Sequence, residues 1–78
     1  MSPKRFPAVE AKEVIKVLQK VGFQIARQSG SHVILKRAKD NRRTIVPVHA
    51  KKILKRKTLK AILADADLTL DEFKALLR

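Results

Sequence analysis

Cysteine, tryptophan and tyrosine are absent from this 78-residue chain, and its only aromatic residues are Phe6, Phe23 and Phe73. Without cysteine there is neither a disulfide nor a thiolate metal site. With three rings, two of them in apolar patterns that expect burial, a stacking platform for single-stranded bases is disfavoured. Glycine is limited to Gly22 and Gly30, from which no P-loop or dinucleotide fingerprint can be drawn. No long apolar run, signal-peptide pattern or lipidation motif is present, and the basic residues do not form the polar face of one amphipathic helix. The expectation is therefore a soluble, cytoplasmic protein with no membrane partner.

Acidic residues are also scarce. Seven Asp and Glu stand against 19 Lys and Arg, a formal net charge of +12. The imbalance is uneven, because residues 61–78 hold Asp65, Asp67, Asp71 and Glu72 against only Lys74 and Arg78. The surplus charge thus lies in the first three quarters of the chain, where it strains a compact state unless an anionic partner compensates it. Nucleic acid is the first candidate. At this length the chain is one domain, residues 1–78, near the lower limit for a self-sustaining core.

In chain order, residues 1–7 read as an irregular arm, since Pro3 and Pro7 oppose helix. From about Ala8 the pattern is helical: Ala11, Val14, Val17, Leu18 and Val21 share a stripe with Ile15 at its border, and Gly22 supplies a left-handed cap. Phe23 to Gln28 and His32 to Lys36 alternate with period two on either side of Ser29 and Gly30, which predicts a hairpin. Ala38 to Asn41 form a second turn among Lys36, Arg37, Lys39, Arg42 and Arg43. Thr44 to Val48 read as a third strand, with Pro47 confining it to an edge or an end. A basic connector, Ala50 to Lys57, is either a solvated loop or a phosphate-contacting one. Thr58 is a candidate N-cap for a helix burying Leu59, Ile62, Leu63 and Ala66. A last helix over Phe73, Leu76 and Leu77 opens with capping-box spacing at Thr69 and Glu72 and a staple from Leu68 to Phe73. The order gives an α+β domain in which a helix, a three-stranded antiparallel sheet and one or two C-terminal helices leave one sheet face open.

The stretch Arg27-Gln28-Ser29-Gly30-Ser31-His32 concentrates the chemistry. If Val33 and Leu35 face the core, the pleat puts His32 and Lys36 on the opposite, open face. Arg27 shares the parity of Phe23 and Ile25, so it reaches that face only if the turn re-aims it. Ser29 and Ser31 are read as satisfying backbone groups at the turn. The other histidine, His49, is either a second catalytic group or a structural one that fastens the connector. The two histidines lack short ligand spacing and the acids cluster far along the chain, so neither metal nor cofactor is expected.

Val14 to Leu18 leading into Gly22-Phe23, then Arg27 to His32, then Val46-Pro47-Val48-His49, then Thr58-Leu59 with Ile62-Leu63, and last Asp71-Glu72-Phe73 together resemble the HicA (YcfA-like) toxin family. The likeness covers nearly the whole chain, and Gly-Phe, Gly-Ser-His and Pro-x-His are more specific jointly than singly. It implies a double-stranded-RNA-binding-like fold, an mRNA interferase that cleaves RNA and inhibits translation, and a HicB-type antitoxin partner. The family's catalytic histidine falls on His32. Val33 stands where many members carry a second histidine, and Lys57 where a glycine commonly precedes the threonine of the second helix.

RNA cleavage needs activation of the 2′-hydroxyl, stabilisation of the phosphorane and protonation of the leaving 5′-oxygen. A histidine of ordinary pKa, about 6.5, serves as acid or base near neutrality and contributes roughly 10²- to 10⁴-fold. His32 is accordingly expected to transfer the proton. Arg27, Gln28, Lys36, Arg37, Arg43, Lys51 and Lys52 are expected to contact RNA. The competing class is a non-catalytic basic RNA-binding module, in which His32 is an ordinary contact.

Overall fold

The first helix shows how local pattern and distant pairing divide the work. In the computed structural model, which describes residues 6–48 and 52–77, α1 (Ala11–Lys20) buries Ala11, Val14, Val17 and Leu18. The helix begins three residues later than the apolar pattern. Val9 accepts a hydrogen bond from the Leu54 amide at 2.8 Å and Glu10 bridges Ile53, which holds this segment extended up to the N-cap. The C-terminus closes as a Schellman motif. Phe23 N–H donates to Leu18 O at 3.0 Å and Gly22 N–H to Gln19 O at 3.1 Å, with Gly22 at φ +96° as the cap expected of it.

Three antiparallel strands follow, β1 (Gln24–Ser29), β2 (His32–Arg37) and β3 (Arg42–Pro47), in the order β1-β2-β3. Gly30 and Ser31 make the first turn, one residue later than the reading at Ser29 and Gly30 because Ser29 pairs with His32 in the ladder, and Gly30 lies at φ +56°, a value glycine takes without steric cost. The second turn spans Ala38 to Asn41, with Asn41 at φ +57°. The third strand is displaced toward the turn relative to the reading over Thr44 to Val48. Arg42 and Arg43 pair with Arg37 and Lys36 and so extend the ladder. Pro47 ends this edge strand opposite His32, where its missing N–H is tolerated.

The remaining helices are α2 (Arg56–Asp65) and α3 (Leu70–Leu76). Leu59, Ile62, Leu63 and Phe73 join Val33, Leu35, Val46 and the α1 stripe in one core, so the helices cover a single face of the sheet. This is the α+β architecture the pattern predicts. Thr58 does not cap α2: the helix starts at Arg56 after an N-cap at Lys55, which has no side-chain cap bond, and Leu59 N–H already donates to Lys55 O at 2.9 Å. The Leu54 tether to Val9 sets the chain's direction into α2 two residues ahead of the threonine. The box at Thr69 forms as its spacing indicates, with Glu72 N–H donating to Thr69 Oγ1 at 3.1 Å and Thr69 N–H to Glu72 Oε1 at 2.9 Å. No helix among the described residues is long and apolar enough to cross a membrane. Residues 1–5 of the N-terminal arm lie outside the described residues; Phe6 packs half-buried against the core, with the Arg56 guanidinium 5.2 Å from its ring centre.

Candidate nucleic-acid interface

The face opposite the core is ordered by register. Across it run three rows: Ser29, His32 and Pro47 nearest the first turn; Arg27, Ile34 and Ile45 in the middle; and Gln24, Lys36 and Arg43 nearest the second turn. Their neighbours on β2, Val33 and Leu35, are buried in the core, as the pleat requires. His32 and Lys36 therefore share the open face, and both are exposed.

Arg27 reaches this face by a device that alternation alone does not reveal. The register shifts between Ile25 and Arg27, leaving Ala26 as the extra residue of a β-bulge, so that Ile25 pairs with Leu35 but Arg27 pairs with Ile34. The bulge, not the turn, brings Arg27 to the side of His32, one row away on the adjacent strand, about 8 Å between Cα atoms by ordinary strand spacing. The same shift pairs Gln28 with Val33 and so puts it on the other side of the ribbon. Gln28 is therefore not part of the His32 face. All six residues of β1 are exposed, Ile25 by 48 %, because the helical layer packs under β2 and β3.

Arg37 is the main departure from the expected set. It belongs to the core side of β2 and is only 9 % exposed. Its guanidinium donates to Asp40 at 3.0 Å and 2.8 Å, to Val21 O at 2.8 Å and to Ala66 O at 3.3 Å, and lies 4.6 Å from the Phe23 ring centre. These bonds tie the second turn to the C-terminal ends of α1 and α2 and hold the guanidinium on the core side, away from a phosphate on the open face. The hydrogen bond with Asp40 pushes the Arg37 pKa up, and the same bond holds the Asp40 carboxyl below the usual carboxylate range. Arg42, on the same side as Arg37, also binds Asp40, at 3.2 Å.

Arg43 faces Lys36 directly across the ladder on the open side. Lys52 is exposed and lines a cleft of about 340 Å³ with Pro47, Ile53, Leu54, Lys55 and Thr58, so it sits beside the strand end that pairs with His32. Lys55 joins it there, a position that only the charge of the connector hinted at. Lys51 and His49 lie outside the described residues. The acids are elsewhere: Glu10 and Glu13 at the start of α1, Asp40 in the second turn, and the rest on α2, α3 and the connection between them. The open face is thus a cationic surface with an apolar centre, Ile34 half-buried and Ile45 42 % exposed.

Comparison with curated proteins finds no match to this chain. A family model described as the HicA toxin of bacterial toxin-antitoxin matches residues 11–68. That span takes in α1, the whole sheet with His32 and its cationic rows, and α2. The chain accordingly belongs to the HicA toxin family, and its role is that of the toxin in a bacterial toxin–antitoxin system.

Proposed function

We propose that this toxin is an endoribonuclease that cuts mRNA without requiring a metal ion and so inhibits translation, with His32 as its proton-transfer residue. The observation that carries the reading is the placement of an exposed imidazole on an open sheet face beside Arg27, which a bulge turns toward it. In this reaction the 2′-oxygen of the substrate attacks the adjacent phosphorus. Its proton passes to the neutral His32 ring, and the 5′-oxygen departs with a proton from a second donor. The products are a 2′,3′-cyclic phosphate and a 5′-hydroxyl. Arg27 stabilises the charge that accumulates on the phosphorane, and Lys36 and Arg43 together hold the chain beyond the apolar centre, on the side away from His32. His49 is the candidate for the second donor.

Family membership supports a HicB-type antitoxin as partner. Its contact surface is acidic and covers the His32 face, which silences the enzyme by occlusion and charge neutralisation together. A complex that left His32 open and cleavage intact would overturn this arrangement.

The test is cleavage of a mixed-sequence RNA in excess EDTA by the wild-type chain and by His32→Ala, with product ends identified and RNA affinity measured in parallel. Cleavage that survives EDTA, leaves cyclic or 3′-phosphate ends and disappears in the variant while affinity persists establishes the reading. Binding without cleavage by either form makes the chain a non-catalytic RNA-binding module.

A further inference from the structure

Two pairs of like charge face each other across β2 and β3, and the fold treats them differently. Arg37 and Arg42 are direct partners in the ladder, and so are Lys36 and Arg43, one position along and on the opposite side of the sheet. Like charges placed opposite one another destabilise an antiparallel sheet. On the core side the repulsion is relieved by a carboxylate: Asp40 Oδ2 lies 2.8 Å from Arg37 Nη2 and 3.2 Å from Arg42 Nε. On the open side, among the described residues, no acid pairs with Lys36 or Arg43. The two cations project from a regular ladder into solvent, four residues along β2 from His32.

We propose that the Lys36–Arg43 pair is a phosphate clamp, filled by an RNA backbone phosphate in the way Asp40 fills the pair behind it. The clamp sits about 13 Å from His32 along the strand. One extended single strand then runs over the face parallel to β2, with the scissile phosphate at the first row and a second phosphate at the third. Ile34 and Ile45 lie between them, where a ribose or the face of a base covers apolar surface without a base-specific hydrogen bond. The clamp sets a minimum substrate length and a direction, and it selects for backbone rather than sequence. This inference shares with the preceding reading the premise that the open face takes RNA, but does not depend on His32 cutting it.

The test is therefore made by binding. His32→Ala, and the same chain with Lys36→Glu or with Arg43→Gln added, are titrated with single-stranded RNAs lengthened one nucleotide at a time, over a range of salt. In His32→Ala the affinity steps up once the RNA is long enough to span both rows. Lys36→Glu supplies the missing carboxylate internally, so the step is lost, and the slope of log affinity against log salt falls by about 0.7 for the phosphate no longer neutralised. The melting temperature of that variant does not fall, which separates a lost clamp from a damaged fold. Arg43→Gln, with an unchanged circular dichroism spectrum, reduces the slope likewise. An unchanged length step and salt slope in both variants overturns the clamp, as does a loss confined to binding of the antitoxin, which would make these residues a protein interface. Cleavage by the wild-type chain is read separately, so the clamp and the ribonuclease reading fail independently.

Discussion

Arg37 and Asp40 meet in a two-point ion pair, Nε to Oδ1 at 3.0 Å and Nη2 to Oδ2 at 2.8 Å, and this pair closes the turn between β2 and β3. The same guanidinium holds carbonyls of Val21 and Ala66, so one side chain joins the turn to the ends of two helices. Its removal leaves Asp40 with Arg42 alone, strands two backbone acceptors and exposes one side of Phe23. Arg37→Ala should cost about 2–3 kcal/mol, a fall in melting temperature of roughly 10 °C or more. Arg37→Lys should recover only part of this, because an ammonium cannot reproduce the two-point contact and the carbonyl bonds together. Thermal unfolding of the three proteins measures both differences.

The carboxyl of Asp40 should make stability depend on acid. Its pKa is lowered in the fold, first by the hydrogen bond from Arg37 and further by the nearby charges of Arg37 and Arg42. A group depressed in this way contributes stability that is present above its unfolded value, about 3.9, and is lost as pH falls through the folded one. Arg37, raised above an already high value, stays charged throughout. Asp40→Asn should thus be less stable than the wild type at neutral pH, with the gap constant down to about pH 5 and narrowing below pH 4. Urea unfolding of both proteins across that range would show it; a gap independent of pH would reassign the stabilisation to packing.

The bulge at Ala26 makes neighbouring polar residues unequal. Arg27 pairs with Ile34 on the His32 side, whereas Gln28 pairs with Val33 on the other. Arg27→Ala should lower kcat/KM for RNA cleavage by about tenfold or more, as expected when charge stabilisation at a developing phosphorane is lost. Gln28→Ala should change it little. Equal effects from the two would mean that RNA wraps round the β1 edge instead of lying on one face.

Gly22 and Gly30 should tolerate a methyl group to different degrees. Both have positive φ, but a Cβ at Gly22 would lie 3.3 Å from Arg37 Cδ, while nothing approaches one at Gly30 within 4 Å. Gly30→Ala should cost about 1 kcal/mol from backbone strain alone, and Gly22→Ala more, since it also presses on the Arg37 bridge. Chemical denaturation resolves the order, and only Gly22→Ala should alter the acid dependence set by Asp40.

What could be read from sequence was what neighbouring residues decide among themselves. The α1 stripe, the glycine cap at Gly22, the two turns and the Thr69–Glu72 box each rest on residues within a turn or two of one another, and the fold realises all of them. The open-face positions of His32 and Lys36 follow in the same way, from the pleat of a regular strand with Val33 and Leu35 as its inward residues.

The tertiary structure decided the rest, because it depended on partners far along the chain. The start of α2 was set by the tether between Leu54 and Val9, 45 positions apart, and not by the cap preference of Thr58. Arg27 was turned to the His32 face by pairing of β1 with β2, since a one-residue bulge reverses parity and leaves no mark in the alternation that precedes it. Arg37 reads in the sequence as one more cation in a basic stretch. Only packing against Phe23 and the two helix ends made it a buried bridge, because an ionised guanidinium stays buried where a carboxylate and carbonyls from other elements converge on its donors.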